Sequence, residues 1–440
     1  MKKFLSAVII MVFVAGISAP FVSGLVAERQ FRAILAKYNE MYKNATLGAT
    51  LEITRYDRGY ASSEVEWKYN LGPLSSVYGV KELLFHDQIK HGLTGVVATT
   101  SLMENPAYEE FIKTKLGGKD PLHITTHYSL LGNAEVTTIL DACSVNFETH
   151  TLQVKPARIM GRVDKELKKY GYEGSWDGLA VDDQAALDGV SMKADLNMES
   201  IYLWDGYVTL AAKSGWVNDA KEPFSFANLK VNYVSDLDKG KNRLSGKMEY
   251  SADSIAVGKE KIGNALVCLE MNGVNASAYE ELLLLYVGAV NKAITSAGVN
   301  AQDPKQVEKV MEQQMKQIGL QLLGPAEKLL TKGLELKISD LHFTLPQGEV
   351  SGGVSVGLKK DMTIAQFMPL ANQPTLAFDI FSLQSHCSLP KELLGRKASL
   401  FQPISPGMQT GLFVENGERA EHLAEIKDGK LLLNGKEVQL

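Results

Sequence analysis

With 440 residues, 45% of them hydrophobic and 22% charged, the chain can bury a large core and is not a disordered segment. Its 46 Lys and Arg against 51 Asp and Glu give a net charge of -5, which argues against a nucleic-acid partner, since phosphate binding needs a basic face. The length permits about three domains or one large β-rich body, and the composition names no enzyme class.

In chain order, Lys2 and Lys3 precede residues 4–26, an uncharged run of 23 residues rich in Phe, Leu, Val, Ile and Ala. A bilayer core of ~30 Å needs roughly 20 such residues as a helix. The run predicts an uncleaved membrane anchor over segment 1–27. A cleaved secretory signal ending near Ala19 is the alternative, and Pro20 disfavours that cut. Under both readings the positive start stays in the cytoplasm and the remainder is exported. Segment 28–46 then carries Phe31, Ile34, Leu35, Tyr38 and Met41 at the three-and-four spacing of an amphipathic helix.

From residue 47 the period changes to two. Val65, Trp67 and Tyr69 alternate with Glu64, Glu66 and Lys68, and the pattern recurs around Ile124, Met192 and Val231. Segment 47–275 therefore reads as antiparallel strands with one dry and one wet face. Segment 276–333 breaks the pattern. Leu282, Leu285 and Tyr286 lie in an apolar helix too short to span a membrane. A second helix starts at Asp303-Pro304, carries Met311, Met315 and Ile318 on its stripe, and is expected to end at Gly324 before a short third helix from Pro325. Segment 334–440 returns to strands and closes with Asp428-Gly429 and Asn434-Gly435, the signature of tight hairpin turns.

The sequence contains no nucleophile-elbow, zincin, P-loop or dinucleotide motif. Cys143, Cys268 and Cys387 have no metal spacing and allow at most one bridge. The densest histidine neighbourhood is His86, Asp87 and His91 with His123 and His127, a metal or acid/base cluster only if the strands bring them together. Leu282, Leu285, Tyr286, Met311, Met315 and Ile318 could line an apolar groove, or simply pack the helices on a sheet.

The stretch Tyr56-Asp57-Arg58-Gly59-Tyr60-Ala61-Ser62-Ser63 places an Arg-Gly turn before two serines and a strand. It resembles the Tyr-x-Arg-Gly-x-Phe-Ser-Ser pattern of the YdgA family of bacterial envelope proteins, with Ala61 at the Phe position. His91-Gly92 after Phe85, the helical pair and the terminal Asp428-Gly429-Lys430 to Asn434-Gly435 follow in the same order, so the resemblance covers nearly the whole chain. It implies an inner-membrane protein facing the periplasm, capable of self-association, with no assigned reaction and no catalytic residue to carry over. The motif residues are Tyr56, Arg58, Gly59, Ser62, Ser63, His91 and Gly92. Physically, Gly59 suits a tight turn and Arg58 offers a planar fork to a carboxylate or phosphate.

The expected architecture is α+β, mainly β: a large curved antiparallel sheet system with a helical pair packed on it and an N-terminal anchor helix. The expected function is a non-enzymatic envelope protein that binds lipid or another apolar ligand, or docks a protein partner. It needs no cofactor. A self-associating structural protein and a metal-dependent periplasmic hydrolase are the alternatives.

Overall fold

The structure is a computed structural model that describes residues 2–42, 48–72, 75, 80–103, 105–147, 149–297, 304–394 and 411–438. Its class is mainly β, with a large antiparallel sheet and a few helices. The chain divides into two compact units, one of residues 1–179, 193–202 and 284–318, the other of residues 180–192, 203–283 and 319–440.

In the first unit a single helix, α1 (Lys2–Tyr42), runs through both the segment expected as the anchor and the one expected as a separate amphipathic helix. It runs through Pro20, which removes one backbone donor, while the hydroxyl of Ser23 donates to the Pro20 carbonyl. Among the described residues no helix is long and apolar enough to cross a membrane. The side chains of residues 2–18, where most of the expected anchor falls, lie outside the described ones. The strands beside α1 are β1 (Thr50–Arg58), β2 (Ser62–Asn70), β3 (Glu82–His91) and β4 (Gly95–Met103). After helix α2 (Pro106–Lys115) come β5 (Leu122–Ser129), β6 (Ala134–Leu140), the hairpin β7 (Cys143–Phe147) and β8 (His150–Val154), then β9 (Ala157–Val163) and β10 (Lys169–Val181). Strands β1 to β6 pair each with the next, and β6 pairs with β9, all antiparallel. Alternation sends Val65, Ile89, Val96 and Ala98 to one face, where they meet Ala27, Phe31 and Leu35 of α1. Those three helical residues recur every fourth position, so one stripe of α1 closes this core.

In the second unit, after β11 (Ala185–Met198), the chain forms a regular meander. Its first strands are β12 (Trp204–Val217), β13 (Phe224–Asp238), β14 (Arg243–Val257) and β15 (Glu260–Asn275). Helices α3 (Ala276–Ala297) and α4 (Pro304–Leu329) follow, of which residues 284–318 belong to the first unit. The chain returns as β16 (Glu335–Leu345), which pairs directly with β15, and continues through β17 (Gly348–Leu358) to β18 (Phe381–Pro390). Leaving and rejoining the sheet at neighbouring positions requires a tight crossing. A Cβ on Gly273 would lie 2.2 Å from the Gly333 carbonyl oxygen, and both glycines have positive φ, 68° and 89°. Arg243 ties the crossing by donating to the Gly273 carbonyl at 2.7 Å and to the Thr331 hydroxyl.

The expected helix end at Gly324 is not observed. α4 continues through Pro325 to Leu329, because the proline sacrifices one hydrogen bond while Pro325 itself is buried and Leu329 packs on Leu244 and Val274. The last strands are β19 (Val414–Asn416), β20 (Arg419–Lys427), β21 (Lys430–Leu433) and β22 (Lys436–Glu437). Asp428, Gly429, Asn434 and Gly435 all have φ between 50° and 78°, which makes both terminal turns the tight hairpins expected of their dipeptides. None of the three cysteines is bridged.

Candidate functional site

Strand pairing brings the two halves of the Tyr56–Ser63 and His91-Gly92 motif together. Ser63 stands opposite Ile89 on β3, and that strand ends at His91, whose backbone N–H donates to the Ala61 carbonyl at 2.9 Å. The His91 Nε2 lies 2.8 Å from the Ser63 Oγ, and its Nδ1 lies 3.1 Å from the Tyr60 carbonyl oxygen. A carbonyl only accepts, so Nδ1 carries a proton toward Tyr60, and in that neutral tautomer Nε2 is the acceptor for the serine hydroxyl. Gly59 and Gly92 close the two turns through backbone bonds to Ser62 and Gly95.

Four side chains of this region, His91, Tyr60, Arg58 and Tyr56, meet α1. A Cβ on Gly24 would lie 2.3 Å from the His91 Cε1, so the missing side chain is the seat of the imidazole. Phe21 stacks on Tyr60, with ring centres 6.5 Å apart. The Arg58 guanidinium lies 5.4 Å from the Phe21 ring centre and donates to the Glu28 carboxylate at 3.2 Å. Arg32 bonds the same carboxylate and covers Tyr56. The motif is thus a clasp on the helix.

Ser63 and His91 have the spacing of a nucleophile and its base. Both are buried, however, with relative exposures of 1% and 9%, and the outer imidazole nitrogen is held by a carbonyl rather than a carboxylate. Asp87 lies in the next cross-strand row, between Val65 and Thr100. Its Oδ2 accepts from the Trp67 indole at 3.0 Å, while its buried Oδ1 has no partner among the described residues. Burial raises the carboxyl above the usual range, opposed by Thr100 and Trp67. Burial, followed by the charge of Asp87, likewise raises the Tyr128 hydroxyl. Burial also raises the Tyr56 hydroxyl, which faces Ser63 without a well-formed hydrogen bond.

The histidine neighbourhood does not assemble. Period-two alternation puts His86 on the opposite face from Asp87, where it pairs with Glu64, and His123 pairs with Asp141 at 3.2 Å. His127 is exposed on β5. No group of three or more His, Cys, Asp or Glu able to hold a metal occurs among the described residues. Along α1 a shallow cavity of about 270 Å³ is lined by Gln30, Ala33, Ile34, Lys37, Leu131 and Lys165, among others.

The second unit presents a different feature. Val208, Tyr233, Met248, Leu269, Ile338 and Val354 are directly opposite one another across β12 to β17, forming one unbroken apolar row on one face. Leu210, Val231, Tyr250, Val267 and Leu341 form a second row beside it, and Met271, Leu336, Val356 and Leu383 part of a third. The intervening positions, such as Thr209, Asn232 and Glu249, face the other way and bond to one another. None of the first row is fully buried, and Leu336 is 55% exposed. At ~4.8 Å per strand the row is ~24 Å long, more than the ~15 Å depth of one leaflet's hydrocarbon.

Of the helical residues expected to line a groove, Ile318 is buried, Leu282, Leu285, Met311 and Met315 are half-buried, and Tyr286 is exposed. Only part of the rows was visible as alternation, at Val231 and Tyr233 and at Leu336, Ile338, Val354 and Val356, and a sequence does not say which dry face stays open. A second Ser–His contact, Ser385 with His422 at 3.0 Å, also escapes sequence reading because 37 positions separate its members.

No curated protein and no solved structure matches the chain. The family model described as a bacterial protein of unknown function, DUF945, matches residues 1–440, in keeping with the YdgA-like order of motifs. The chain belongs to this DUF945 family.

Proposed function

We propose that this protein is a non-enzymatic envelope protein, held at the inner membrane by α1 with its bulk in the periplasm, that binds lipid acyl chains on the apolar rows of its second unit. The observation that carries the reading is the half-open stripe running through Leu269 and Ile338. A sheet face of this kind normally lies under a helix or a second sheet, and an exposed apolar band of such length marks a binding surface. The motif supports the anchoring half of the reading, since its polar groups are spent on fastening the helix. The resemblance-derived expectation of an envelope protein agrees with both.

Native mass spectrometry of the detergent-purified full chain tests it. Retained phospholipid or fatty acid is expected, and it should be lost in Leu269→Glu, whose charge interrupts the row without filling a closed core. A wild-type protein free of lipid, or a Leu269→Glu variant that retains it fully, refutes the assignment.

A further inference from the structure

At the end of the first unit from which α1 emerges, three turns carry no charged residue of their own, although Lys37, Lys165 and Glu166 line a cavity with Leu131 of the third. The three hairpin turns that meet there are Gly59-Tyr60-Ala61, Gly92-Leu93-Thr94 and Leu130-Leu131-Gly132. Leu93 is 64% and Leu131 78% exposed, Tyr60 is exposed beside Phe21 and Val22 of α1, and the Leu130 N–H reaches the Thr94 carbonyl of the neighbouring turn. The opposite ends of the same strands carry Lys81, Glu82, Lys119, Asp120 and Asp141. Beyond the third turn the next one, Asp164 to Lys168, is charged again, so the apolar surface has an edge.

A length argument says what covers this surface, given the reading above that α1 is the anchor. The clasp engages α1 at Phe21, which leaves at most residues 4–20 for the bilayer. At 1.5 Å per residue those 17 residues span ~26 Å, short of a ~30 Å hydrocarbon core even without tilt. Lys2 and Lys3 can snorkel at one side, but the other side has no spacer. We infer that the three turns and Phe21 are seated in the headgroup and upper acyl region of the bilayer that α1 enters, so that the first unit rests on the membrane rather than hanging from a tether. Chemistry at the rim agrees. Tyr60 presents an amphipathic ring where interfacial aromatics belong, and Arg58 and Lys90 flank the turns at the level of lipid phosphates.

The full chain is reconstituted in phosphatidylethanolamine/phosphatidylglycerol vesicles with its native cysteines replaced by serine. An environment-sensitive fluorophore is attached at Leu93→Cys, Leu131→Cys or, as a control on the far end, Glu82→Cys. Flotation of the labelled protein with the vesicles is scored first, because it reports anchoring alone. The expected result is a blue shift and loss of most emission to shallow spin-labelled lipid at positions 93 and 131, with neither at 82. If the protein floats but 93 and 131 behave like 82, the seating is overturned and the anchor stands. If it does not float, both readings fall.

Discussion

Replacing Gly24 by alanine tests the clasp against a well-known opposing preference. In a helix interior alanine is favoured over glycine by about 0.8–1.0 kcal/mol, so a helix free of tertiary contact at this position would gain stability. Here the new methyl would stand 2.3 Å from the His91 Cε1, 2.6 Å from Nδ1 and 2.9 Å from Nε2. Either the ring leaves, giving up its buried bonds to Ser63 and Tyr60, or α1 lifts off Ile89 and Val96. Overpacking of this kind costs roughly 1–3 kcal/mol, and a stranded buried hydrogen-bonding group about 1–3 kcal/mol more. The balance is a loss of roughly 1–5 kcal/mol. Gly288 in α3 is the internal control: a Cβ there meets nothing within 4 Å, so Gly288→Ala should stabilise by about 0.5–1 kcal/mol. Chemical denaturation of the full chain in detergent, with limited proteolysis of residues 19–42, reads both variants. If Gly24→Ala stabilises as much as Gly288→Ala and α1 stays protected, His91 is not seated on the helix and the clasp is wrong.

Other outcomes follow from the same contacts. Ser63→Ala leaves the His91 Nε2 buried without its partner and should cost about 1–3 kcal/mol, seen as a lower denaturation midpoint. Arg58→Lys keeps the charge but loses the planar stack over Phe21; proteolysis within residues 19–42 should quicken although the Glu28 pair can persist. Asp87 is held above its ordinary value of 3.8, so the folded chain binds its proton more tightly than the unfolded chain. That contribution is fully present below pH 3.8, is lost as pH rises from there through the raised folded value, and does not change further above it. Asp87→Asn should remove this part of the slope, gaining on the wild type at neutral pH and not in acid; parallel curves for the two proteins would contradict the assignment. Gly273→Ala places a methyl 2.2 Å from the Gly333 oxygen at a φ of 68°, and should destabilise the second unit by several kcal/mol, measured by hydrogen exchange in β15 and β16.

Much of the fold was legible because its signals are local. The alternation of Val65, Trp67 and Tyr69 and the Asp-Gly and Asn-Gly turns act over a few residues, and the strands and hairpins form where they indicate. Pro325 misled for the same reason. A local rule stops the helix there, whereas burial of Pro325 and the packing of half-buried Leu329 against the cluster of Leu203, Leu244, Val274 and Ala276 carry it on. The motif could be seen but its meaning could not. His91 finds Ser63 across 28 positions and Gly24 across 67, and nothing in the sequence marks Gly24 as a seat rather than one more small residue in an apolar run. The histidine cluster failed on parity, since His86 and Asp87 are adjacent in sequence and therefore point to opposite faces.

The crossing at Gly273 and Gly333 also bears on how the second unit assembles. Strands β12, β13 and β14 each pair with their immediate successor, so these ladders can zip through short turns at low entropic cost. The join between β15 and β16 is of another kind, because it must close about 60 residues of intervening chain before a single ladder bond forms. Folding α3 and α4 first shortens that search, for it converts a long flexible loop into two rods whose ends are brought back together. The meander therefore has a late seam at this join, and the apolar row through Leu269 and Ile338 crosses it. Until the seam closes, the row exists only as two separate halves, and a ligand lying across Leu269 and Ile338 would hold them in register.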